Sequence, residues 1–322
     1  MIKAIVLGSD DRFTLATAEA PAPGPGEVAI RVQYAGLQWG DVLVGNGHLP
    51  APRPFIPGFE AAGSIVAVGE GVDTARIGRP VTALTASGAF AEFVTAPAAL
   101  AFCTDGLDAR PAAAFGWATP TAYDLINTVT RVRPGDRVLI HAALGGVGSL
   151  AAQFAKASGA ARIVGVGGGG GGGGGAEQAD YAAGLGYDHL ISRTDFPDAL
   201  ADEEFDVILD PVGGPARLAN LDRLARHGRL AVYGNMATFE PVRINANELL
   251  MNGISVLSYN SNLLSRTHPE RLAASAAEAL RLLTDRQVHI DISAEYELAE
   301  VPAAIRRLAA GGTRGKTVIR IG

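Results

Sequence analysis

The pattern of hydrophobic and polar positions changes near residue 115. Before that point, short runs in which apolar and polar residues alternate are separated by glycine and proline; they are Glu27 to Tyr34, Glu60 to Val68, Pro80 to Leu84 and Phe90 to Thr95. Alternation with a period of two is typical of half-buried strands. The first third of the chain is therefore predicted to form an irregular, β-rich domain.

Longer apolar runs follow residue 115 and alternate with helical segments. One run begins at Asp136 and precedes a helical pattern from Ser149 to Ser158; the later runs are Ala161 to Val166, Phe205 to Leu209 and Arg229 to Tyr233. Strands that alternate with helices at this spacing predict an α/β fold with a parallel, doubly wound sheet.

The carboxyl-terminal part returns to β character after a long helix. The helix is predicted from Pro269 to Thr284 and is expected to close the second domain. Gln287 to Ile292 and Lys316 to Ile321 are expected to be β structure, with a helix from Val301 to Ala309 between them. These pieces would complete the first domain, which gives one discontinuous domain of residues 1–118 and 286–322 and a second of residues 119–285. The cleft between the two domains is the expected place for a substrate.

A glycine-rich turn follows the run that begins at Asp136. Laid over the dinucleotide fingerprint G-x-G-x-x-G, it has Ala143, Gly145 and Gly148 at the three glycine positions. Gly145 would let the backbone approach a pyrophosphate, and Gly148 would let the helix pack tightly against the strand. Ala143 is expected to cost the turn some flexibility, because alanine avoids positive φ. The turn predicts a Rossmann-type dinucleotide site at the start of the following helix.

Composition narrows the class of protein. The 322 residues are 48% hydrophobic and 19% charged, and the net charge of −6 argues against nucleic acid as the partner. The single Cys103 excludes an internal disulfide framework and a zinc site built from several cysteines, and the six histidines lack metal-ligand spacing. Met1 to Leu7 is predicted to be a strand rather than a signal or membrane segment. These features predict a cytoplasmic protein that does not associate with membranes.

Several ordered motifs resemble one known family. They are Gly36 to Asp41, Ile56 to Gly63, Thr121 to Tyr123, Ala142 to Gly148, Gly184 to Asp188, Asp210 to Gly214 and Gly315-Lys316. Together they resemble the medium-chain dehydrogenase/reductase superfamily, in its zinc-independent branch of quinone oxidoreductases and enoyl reductases. The resemblance implies a GroES-like catalytic domain, a Rossmann domain and NADPH as hydride donor. It also implies a homodimer joined along the Rossmann sheet, where Ile254 to Leu257 resembles the joining strand.

The resemblance also implies which residues act on the substrate. Zinc-dependent relatives have a cysteine ligand near the position of Gln38 and a histidine ligand at the position of Phe59, so no zinc is expected here. The amide of Gln38 replaces an asparagine of the relatives, and two interpretations stay open: it faces the nicotinamide or substrate, or it packs in its loop. Asp41 is either catalytic or the N-cap of a helix.

The proton donor is the least defined part of the predicted site. Enoyl-thioester reductases of this branch use a tyrosine at the position where this chain has Leu49. Asn46, His48 and Tyr123 are the nearest alternatives, besides water. The predicted catalytic set is therefore Gln38, Asp41 and Tyr123.

Cofactor choice depends on the segment after the second strand of the parallel sheet. NAD enzymes place an acidic residue there, but this chain has nine consecutive glycines, Gly167 to Gly175, and no Asp or Glu between Asp136 and Glu177. NADPH is favoured over NADH by this elimination, with Arg193 or Arg162 as the contact to the 2′-phosphate. The glycine run is a natural loop, an engineered linker or a stand-in for undetermined sequence.

The predicted cofactor-binding residues come from several of these motifs. They are Thr121, Ala143, Leu144, Gly145, Gly146, Val147, Gly148, Arg193, Gly234, Asn235 and Lys316. The predicted function is NADPH-dependent reduction of a small molecule, a quinone or an α,β-unsaturated carbonyl. An enoyl-thioester reductase of polyketide or fatty-acid metabolism is the first alternative, and a non-catalytic nucleotide-binding or structural protein of the same fold is the second.

Overall fold

The computed structural model of the chain describes residues 1–167 and 175–322. The prediction of cofactor choice from Gly167 to Gly175 therefore falls largely on residues 168–174, outside the described residues. Contacts divide the chain into two compact units, Met1–Pro120 with Leu264–Gly322, and Thr121–Leu263. They are called unit 1 and unit 2 below. In the described ranges, no helix has the length and apolar character needed to span a membrane.

The described residues form the following regular elements. The strands are β1 Ile2–Leu7, β2 Phe13–Ala18, β3 Glu27–Leu37, β4 Glu60–Val68, β5 Pro80–Leu84, β6 Phe93–Pro97, β7 Ala101–Cys103, β8 Arg137–His141, β9 Arg162–Val166, β10 His189–Ile191, β11 Phe205–Asp210, β12 Leu224–Val232, β13 Ser255–Ser258, β14 Ile292–Glu297 and β15 Lys316–Arg320. The α-helices are α1 Trp39–Gly45, α2 Ala109–Phe115, α3 Ala118–Tyr123, α4 Gly146–Ala157, α5 Gly175–Gly184, α6 Gly214–Asp222, α7 Ala246–Asn252, α8 Ser261–Thr267, α9 Pro269–Thr284 and α10 Val301–Ala309. Asp124–Val129 forms a π-helix, and short 3₁₀ helices are Thr74–Arg76, Ala98–Leu100, Asp198–Leu200 and Leu298–Glu300.

Unit 1 is built on a mixed sheet with the strand order β14-β15-β3-β4-β5-β7 and a small β1–β2 hairpin; β6 also pairs with β3. β15 pairs antiparallel with β3, with Ile319 opposite Ala35, so a late segment of the chain completes this sheet. The inward positions of these strands form a continuous core with Val301 and Ile305 of α10. The β-rich character of the first domain is confirmed, and the late strand β15 lies in its sheet.

Unit 2 is built on a parallel sheet with the strand order β10-β9-β8-β11-β12-β13 among the described strands. All neighbouring pairs run parallel. β8 is buried from Val138 to Ile140, as expected for a strand covered on both faces. The sheet confirms the predicted doubly wound architecture. In such sheets, ligands bind at the carboxyl ends of the strands.

Helix α9 occurs at the predicted residues but belongs to unit 1, whereas the sequence placed it in the second domain. The reason is the contact made by its apolar face: Leu272 is fully buried and packs in a cluster with Phe59 and Trp117. The amphipathic pattern identifies the face that is buried, but it does not identify the sheet that buries it.

Two predicted strand segments are shifted in the structure. Phe90 is fully buried, but its backbone bonds to Ile5 and Pro57 in loop contacts, and β6 begins only at Phe93. Gln287 donates its N–H to Leu282 O and so ends helix α9; β14 begins at Ile292. The apolar residues that lie outside the strands, Phe90 and Val288, fill core positions instead.

Candidate functional site

The turn between β8 and α4 presents the amino terminus of a helix at the carboxyl edge of the parallel sheet. Gly145 is the N-cap of α4, with its N–H bonded to Ala142 O at 3.0 Å. Gly146 and Val147 begin the helix, where backbone N–H groups lack partners inside the helix. The helix dipole and these N–H groups favour an anion such as a pyrophosphate at this end.

The sequence of this turn is set by close backbone contacts. A Cβ on Gly148 would lie 2.5 Å from Ala142 O and 2.7 Å from Ala143 O, so a side chain has no room there. The positive φ of the turn is at Ala142, at 52°, and not at Ala143, which corrects the expected source of strain. Ala143 is fully buried, and its methyl group uses the space that Gly165 leaves, since a Cβ on Gly165 would lie 2.7 Å from it.

Tyr187, also in unit 2, hydrogen-bonds to the same turn. Its hydroxyl oxygen lies 2.8 Å from Gly148 O and 3.0 Å from Ala143 O. Burial is the main reason why the pKa of Tyr187 is raised well above its usual value, so the phenol stays protonated and can donate. Leu144, the remaining predicted residue of the turn, is buried.

A second group at the carboxyl edge joins the turns that follow β11 and β12, and Arg217 of α6 is at its centre. Its Nε donates to Asp210 Oδ2 at 2.8 Å, its Nη1 to Asn235 Oδ1 at 3.0 Å and its Nη2 to Gly234 O at 2.7 Å. The other oxygen of Asp210 accepts the N–H groups of Val212 and Gly213 at 2.7 and 2.9 Å. The predicted cofactor residues Gly234 and Asn235 are therefore held by an arginine that the sequence did not single out.

Two further polar groups in this part of unit 2 are buried. His141, the last residue of β8, has its Nε2 2.7 Å from Asn220 Oδ1 and its ring edge-on to Phe196. Burial lowers the pKa of His141 from its usual value, although the bond to Asn220 and the charge of Asp210 oppose this. His141 is therefore neutral at physiological pH and does not supply a charge to the dinucleotide turn.

Gln38 and Asp41 lie at the start of helix α1 in unit 1. Gln38 is the N-cap and Asp41 is the third residue of the helix, where Asp41 Oδ2 accepts the Gln38 N–H at 3.0 Å. Asp41 Oδ1 accepts the Gly58 N–H at 3.0 Å, so this carboxyl group joins two loops. Asp41 is therefore not the N-cap, and its fully buried side chain is committed to the backbone.

Burial also sets the ionisation of Asp41. Loss of solvation is the largest cause, and it raises the pKa of Asp41 to about 7. The hydrogen bonds from Gln38 and Gly58 and the charge of Lys316 oppose the shift, while repulsion by Glu60 adds to it. The half-buried Gln38, by contrast, remains accessible at the helix terminus.

Among the other predicted residues, Thr121 and Tyr123 lie in α3, on the side of unit 2. Thr121 is buried and hydrogen-bonds to the Tyr259 hydroxyl, which itself donates to Asp124 at 2.7 Å. The ring of Tyr123 stacks edge-on against Phe154, with centroids 5.6 Å apart. These contacts show packing roles for both side chains, and the catalytic role of Tyr123 stays a prediction.

Arg193 and Lys316 occupy opposite environments. Arg193 is exposed directly after β10, next to the strand where the predicted specificity segment begins. Lys316 is buried in unit 1, where its ammonium forms an ion pair with Glu60 and donates to Leu37 O at 3.0 Å. The contacts of Lys316 do not agree with the cofactor-binding role expected for it.

Family models match both parts of the chain. Residues 24–105 match the alcohol dehydrogenase GroES-like domain, and residues 185–319 match a family described as zinc-binding dehydrogenase. The first match lies in the β-rich sheet of unit 1, which identifies that sheet as GroES-like.

The residues of this chain do not fit the zinc site that the second description names. At the positions where the family resemblance implies zinc ligands in other members, Phe59 has no donor atom and Gln38 offers an uncharged amide. The neighbouring Glu60 is fully buried, with its oxygens bonded to Lys316 and to the Trp117 N–H. Within residues 1–167 and 175–322, no three His, Cys, Asp or Glu residues are grouped so that they could hold a metal. The absence of zinc stays a prediction.

Known proteins resemble the chain over almost its whole length. A mycocerosic acid synthase-like polyketide synthase of Mycolicibacterium smegmatis is 32% identical over 98% of this chain, which spans only 15% of that protein. A quinone oxidoreductase of Pseudomonas aeruginosa is 32% identical over 92% of both chains. A mycobacterial protein solved in complex with NADPH superposes with a TM-score of 0.88, at 28% identity, over 99% of this chain and all of the other. The chain therefore belongs to the medium-chain dehydrogenase/reductase superfamily of oxidoreductases, in its quinone oxidoreductase-like branch.

Proposed function

We propose that the chain is an NADPH-dependent, zinc-independent oxidoreductase that reduces a quinone or an α,β-unsaturated carbonyl. The observation that carries the proposal is the half-buried amide of Gln38 at the N-cap of α1, on a backbone fixed by Asp41. An amide N–H can donate to a carbonyl oxygen and stabilise the negative charge that develops there during reduction. A bound nicotinamide supplies the hydride.

The residues that would hold the cofactor lie at the carboxyl edge of the parallel sheet in unit 2. The first turn of α4, at Gly146 and Val147, offers backbone N–H groups to the pyrophosphate. Gly234 and Asn235 are fixed by Arg217 beside the ends of β11 and β12. Arg193 is the candidate contact for the 2′-phosphate, because a guanidinium can bind phosphate oxygens in pairs.

The acceptor class is argued from the acid group nearest to Gln38 along the chain. The buried Asp41 carboxyl group is bonded to two backbone N–H groups, so it is not presented to a substrate as a proton donor. A reduced quinone can take its protons from solvent, whereas an enoyl thioester needs a proton delivered to carbon. This difference favours quinones.

A second candidate function is enoyl-thioester reduction, and one specific observation favours it. The first relatives found are polyketide synthases that align with 98% of this chain, although the chain spans only 15% of their length. The activity and substrates of the full-length synthases therefore belong to proteins much longer than this chain. An acyl thioester remains the second substrate class to test.

The test measures cofactor oxidation at 340 nm with a panel of benzoquinones and naphthoquinones and, separately, with a crotonyl thioester. We expect turnover of quinones with NADPH, and elemental analysis of the active protein should find no stoichiometric zinc. Faster turnover of the thioester would select the second candidate. Binding of NADPH without turnover of any acceptor would contradict both and favour a non-catalytic protein.

Cofactor choice is tested through Arg193. Replacement of Arg193 by Ala should raise the KM for NADPH by about 10-fold, the equivalent of about 1.4 kcal/mol for a lost charge-assisted contact. The KM for NADH, which has no 2′-phosphate, should not change and serves as the internal control. An equal rise in the KM for NADPH and the KM for NADH would show that Arg193 does not contact the 2′-phosphate.

A homodimer and a cytoplasmic location complete the proposal. β13 pairs with β12 on one side and is an edge of the sheet among the described strands. Leu250 and Met251 of the neighbouring helix α7 are 77% and 78% exposed. An open strand edge beside exposed apolar side chains is suited to pairing with a second copy of the chain.

A further inference from the structure

Three ionisable side chains are buried together near the start of helix α1 in unit 1. Asp41 and Glu60 are fully buried, and Lys316 is 4% exposed. Lys316 forms an ion pair with Glu60, whose second oxygen accepts the Trp117 N–H at 2.6 Å. Buried charges persist only when they are paired and hydrogen-bonded, as those of Lys316 and Glu60 are.

The surrounding glycines leave room for the Glu60 carboxylate. A Cβ on Gly36 would lie 2.1 Å from Glu60 Oε1, and a Cβ on Gly116 would lie 1.8 Å from Glu60 Oε2. Any side chain at either position would displace the carboxylate. The position of the ion pair is therefore fixed by the shape of the backbone around it.

The Leu37–Gln38 peptide group is held at both ends by this cluster. Its carbonyl oxygen accepts from Lys316 Nζ at 3.0 Å, and its N–H donates to Asp41 Oδ2 at 3.0 Å. Bonds to both ends fix the plane of the peptide, and this plane sets the direction in which the Gln38 side chain leaves the backbone. The bond from the Lys316 ammonium is charge-assisted, which makes it stronger than a bond between neutral groups.

We propose that Lys316 is a positioning residue for Gln38, acting through the Leu37 carbonyl. The inference rests on the proposed function, in which the Gln38 amide donates to the substrate carbonyl. Without the bond from Lys316, the peptide can rotate about its remaining anchor at Asp41, and the amide moves with it. A displacement of about 1 Å in a group that orients a substrate can cost about 100-fold in rate.

Removal of one charge alone would not test this, because the partner would be left buried and unpaired and the protein would lose stability. The paired variant Glu60→Gln/Lys316→Met removes both charges at similar side-chain volume. A glutamine at position 60 can still accept the Trp117 N–H, while the methionine cannot donate to Leu37 O. The variant therefore mainly removes the hydrogen bond from Lys316 Nζ to Leu37 O.

The experiment is a double-mutant cycle on hydride transfer, measured in single turnover with the full chain, NADPH and a quinone. We expect the paired variant to slow transfer 10- to 100-fold and to leave the dissociation constant of NADPH within twofold. In a Gln38→Ala background, the same pair of changes should slow transfer by less than threefold, because the group that Lys316 positions is already absent. Equal slowing in both backgrounds would overturn the proposal.

Hydrogen exchange gives a readout that does not depend on turnover. The Gln38 N–H should lose protection in the paired variant, since the peptide that carries it is freed at its other end. Unchanged protection would overturn the proposal. If the native protein reduces no acceptor, the proposed function fails, while exchange at Gln38 still decides whether Lys316 holds this peptide.

Two further variants control the experiment. Glu297→Gln/Arg320→Met removes an ion pair between strand β14 and the strand β15 that carries Lys316; its side chains are 53% and 52% exposed, and the change should leave the transfer rate unchanged. Glu60→Gln/Lys316→Gln restores an amide donor near Leu37 O and should slow transfer less than the methionine variant. It also replaces the methionine variant if that protein does not fold.

Discussion

Backbone packing at Gly148 leaves no room for a side chain. Its Cα lies against two carbonyl oxygens of the dinucleotide turn, and the same close approach brings α4 onto β8. The fingerprint glycine is thus required here by sterics within the protein, before any cofactor is considered.

Replacement of Gly148 by Ala should lower the free energy of unfolding by about 1–3 kcal/mol, because the added methyl group overlaps backbone atoms that cannot move freely. NADPH should also bind more weakly, since the start of α4 shifts with the turn. Urea unfolding and a fluorescence titration with NADPH measure the two effects. Gly184→Ala is the matched control: nothing lies within 4 Å of its added Cβ, and its stability should stay level or rise.

Residues whose role is local were predictable, and residues whose partners are distant were not. The strand, turn and helix start around Ala143 to Gly148 follow from neighbouring sequence, whereas the role of Gln38 was implied by the family resemblance and stays a prediction. Arg217 bonds to Asn235, eighteen positions away, and Lys316 bonds to Glu60 across most of the chain. Nothing in the local pattern of either residue indicates these partners, because they depend on which strands become neighbours in the folded sheet.

At the scale of single elements, helix α1 contains a titrating group in its first turn. Asp41 has a pKa of about 7 in the folded protein and an ordinary value of 3.8. Between these values the folded state keeps a proton that the unfolded state releases. Raising the pH through this window therefore lowers the stability contributed by Asp41, by at most about 1.4 kcal/mol per pH unit.

The Asp41→Asn variant should lack this part of the pH dependence. We expect the difference in free energy of unfolding between the native protein and the variant to shrink from pH 4 to pH 7 and to level off above it. The variant is less stable overall, because an asparagine has one oxygen for two N–H donors. Chemical unfolding at several pH values measures the curve, and Asp202→Asn controls for the loss of one carboxyl group. A difference that is independent of pH would mean that Asp41 is ionised throughout this range.

Arg217 joins the turn after β11 to the turn after β12 through its hydrogen bonds. Arg217→Met would leave the fully buried Asp210 unpaired and should cost about 3–5 kcal/mol of stability. Arg217→Lys keeps the charge but loses the fork geometry that reaches Gly234 and Asn235 together.

We therefore expect Arg217→Lys to retain most of the stability and to bind NADPH about 10-fold more weakly. Calorimetry of unfolding and of NADPH binding separates the two effects. Arg226→Met, at an exposed position on β12, is the matched control. If Arg217→Lys binds NADPH as the native protein does, Asn235 and Gly234 do not depend on this arginine for cofactor binding.

Elements with a clear period were predictable in both type and extent. Helices α9 and α10 occur at the predicted residues, since their apolar faces repeat every three or four positions. The segment Gln287 to Ile292 was wrong as β structure, because a short apolar run gives no period and Val288 fills a core position at the end of α9.

At the scale of the whole molecule, the proposed dimer is the most direct expectation to test. The double variant Leu250→Glu/Met251→Glu places two charges at the exposed end of α7 and should give a monomer by light scattering. Ile77→Glu, at a position 49% exposed in unit 1, is the control and should leave the mass unchanged. A native protein that is already monomeric at micromolar concentration would contradict the dimer.

The order of the strands in unit 1 has a consequence for synthesis of the chain. β3 is made early, but its neighbour β15 is made only after the whole of unit 2, which is one continuous segment. On the ribosome, the parallel sheet of unit 2 can form as soon as residues 121–263 have emerged. The part of β3 from Tyr34 to Leu37 must meanwhile wait without its partner on the edge that β15 later covers, and an unpaired edge is a template for aggregation. Conditions that slow translation between β13 and β15 should therefore reduce the yield of folded protein more than an equal delay within unit 2.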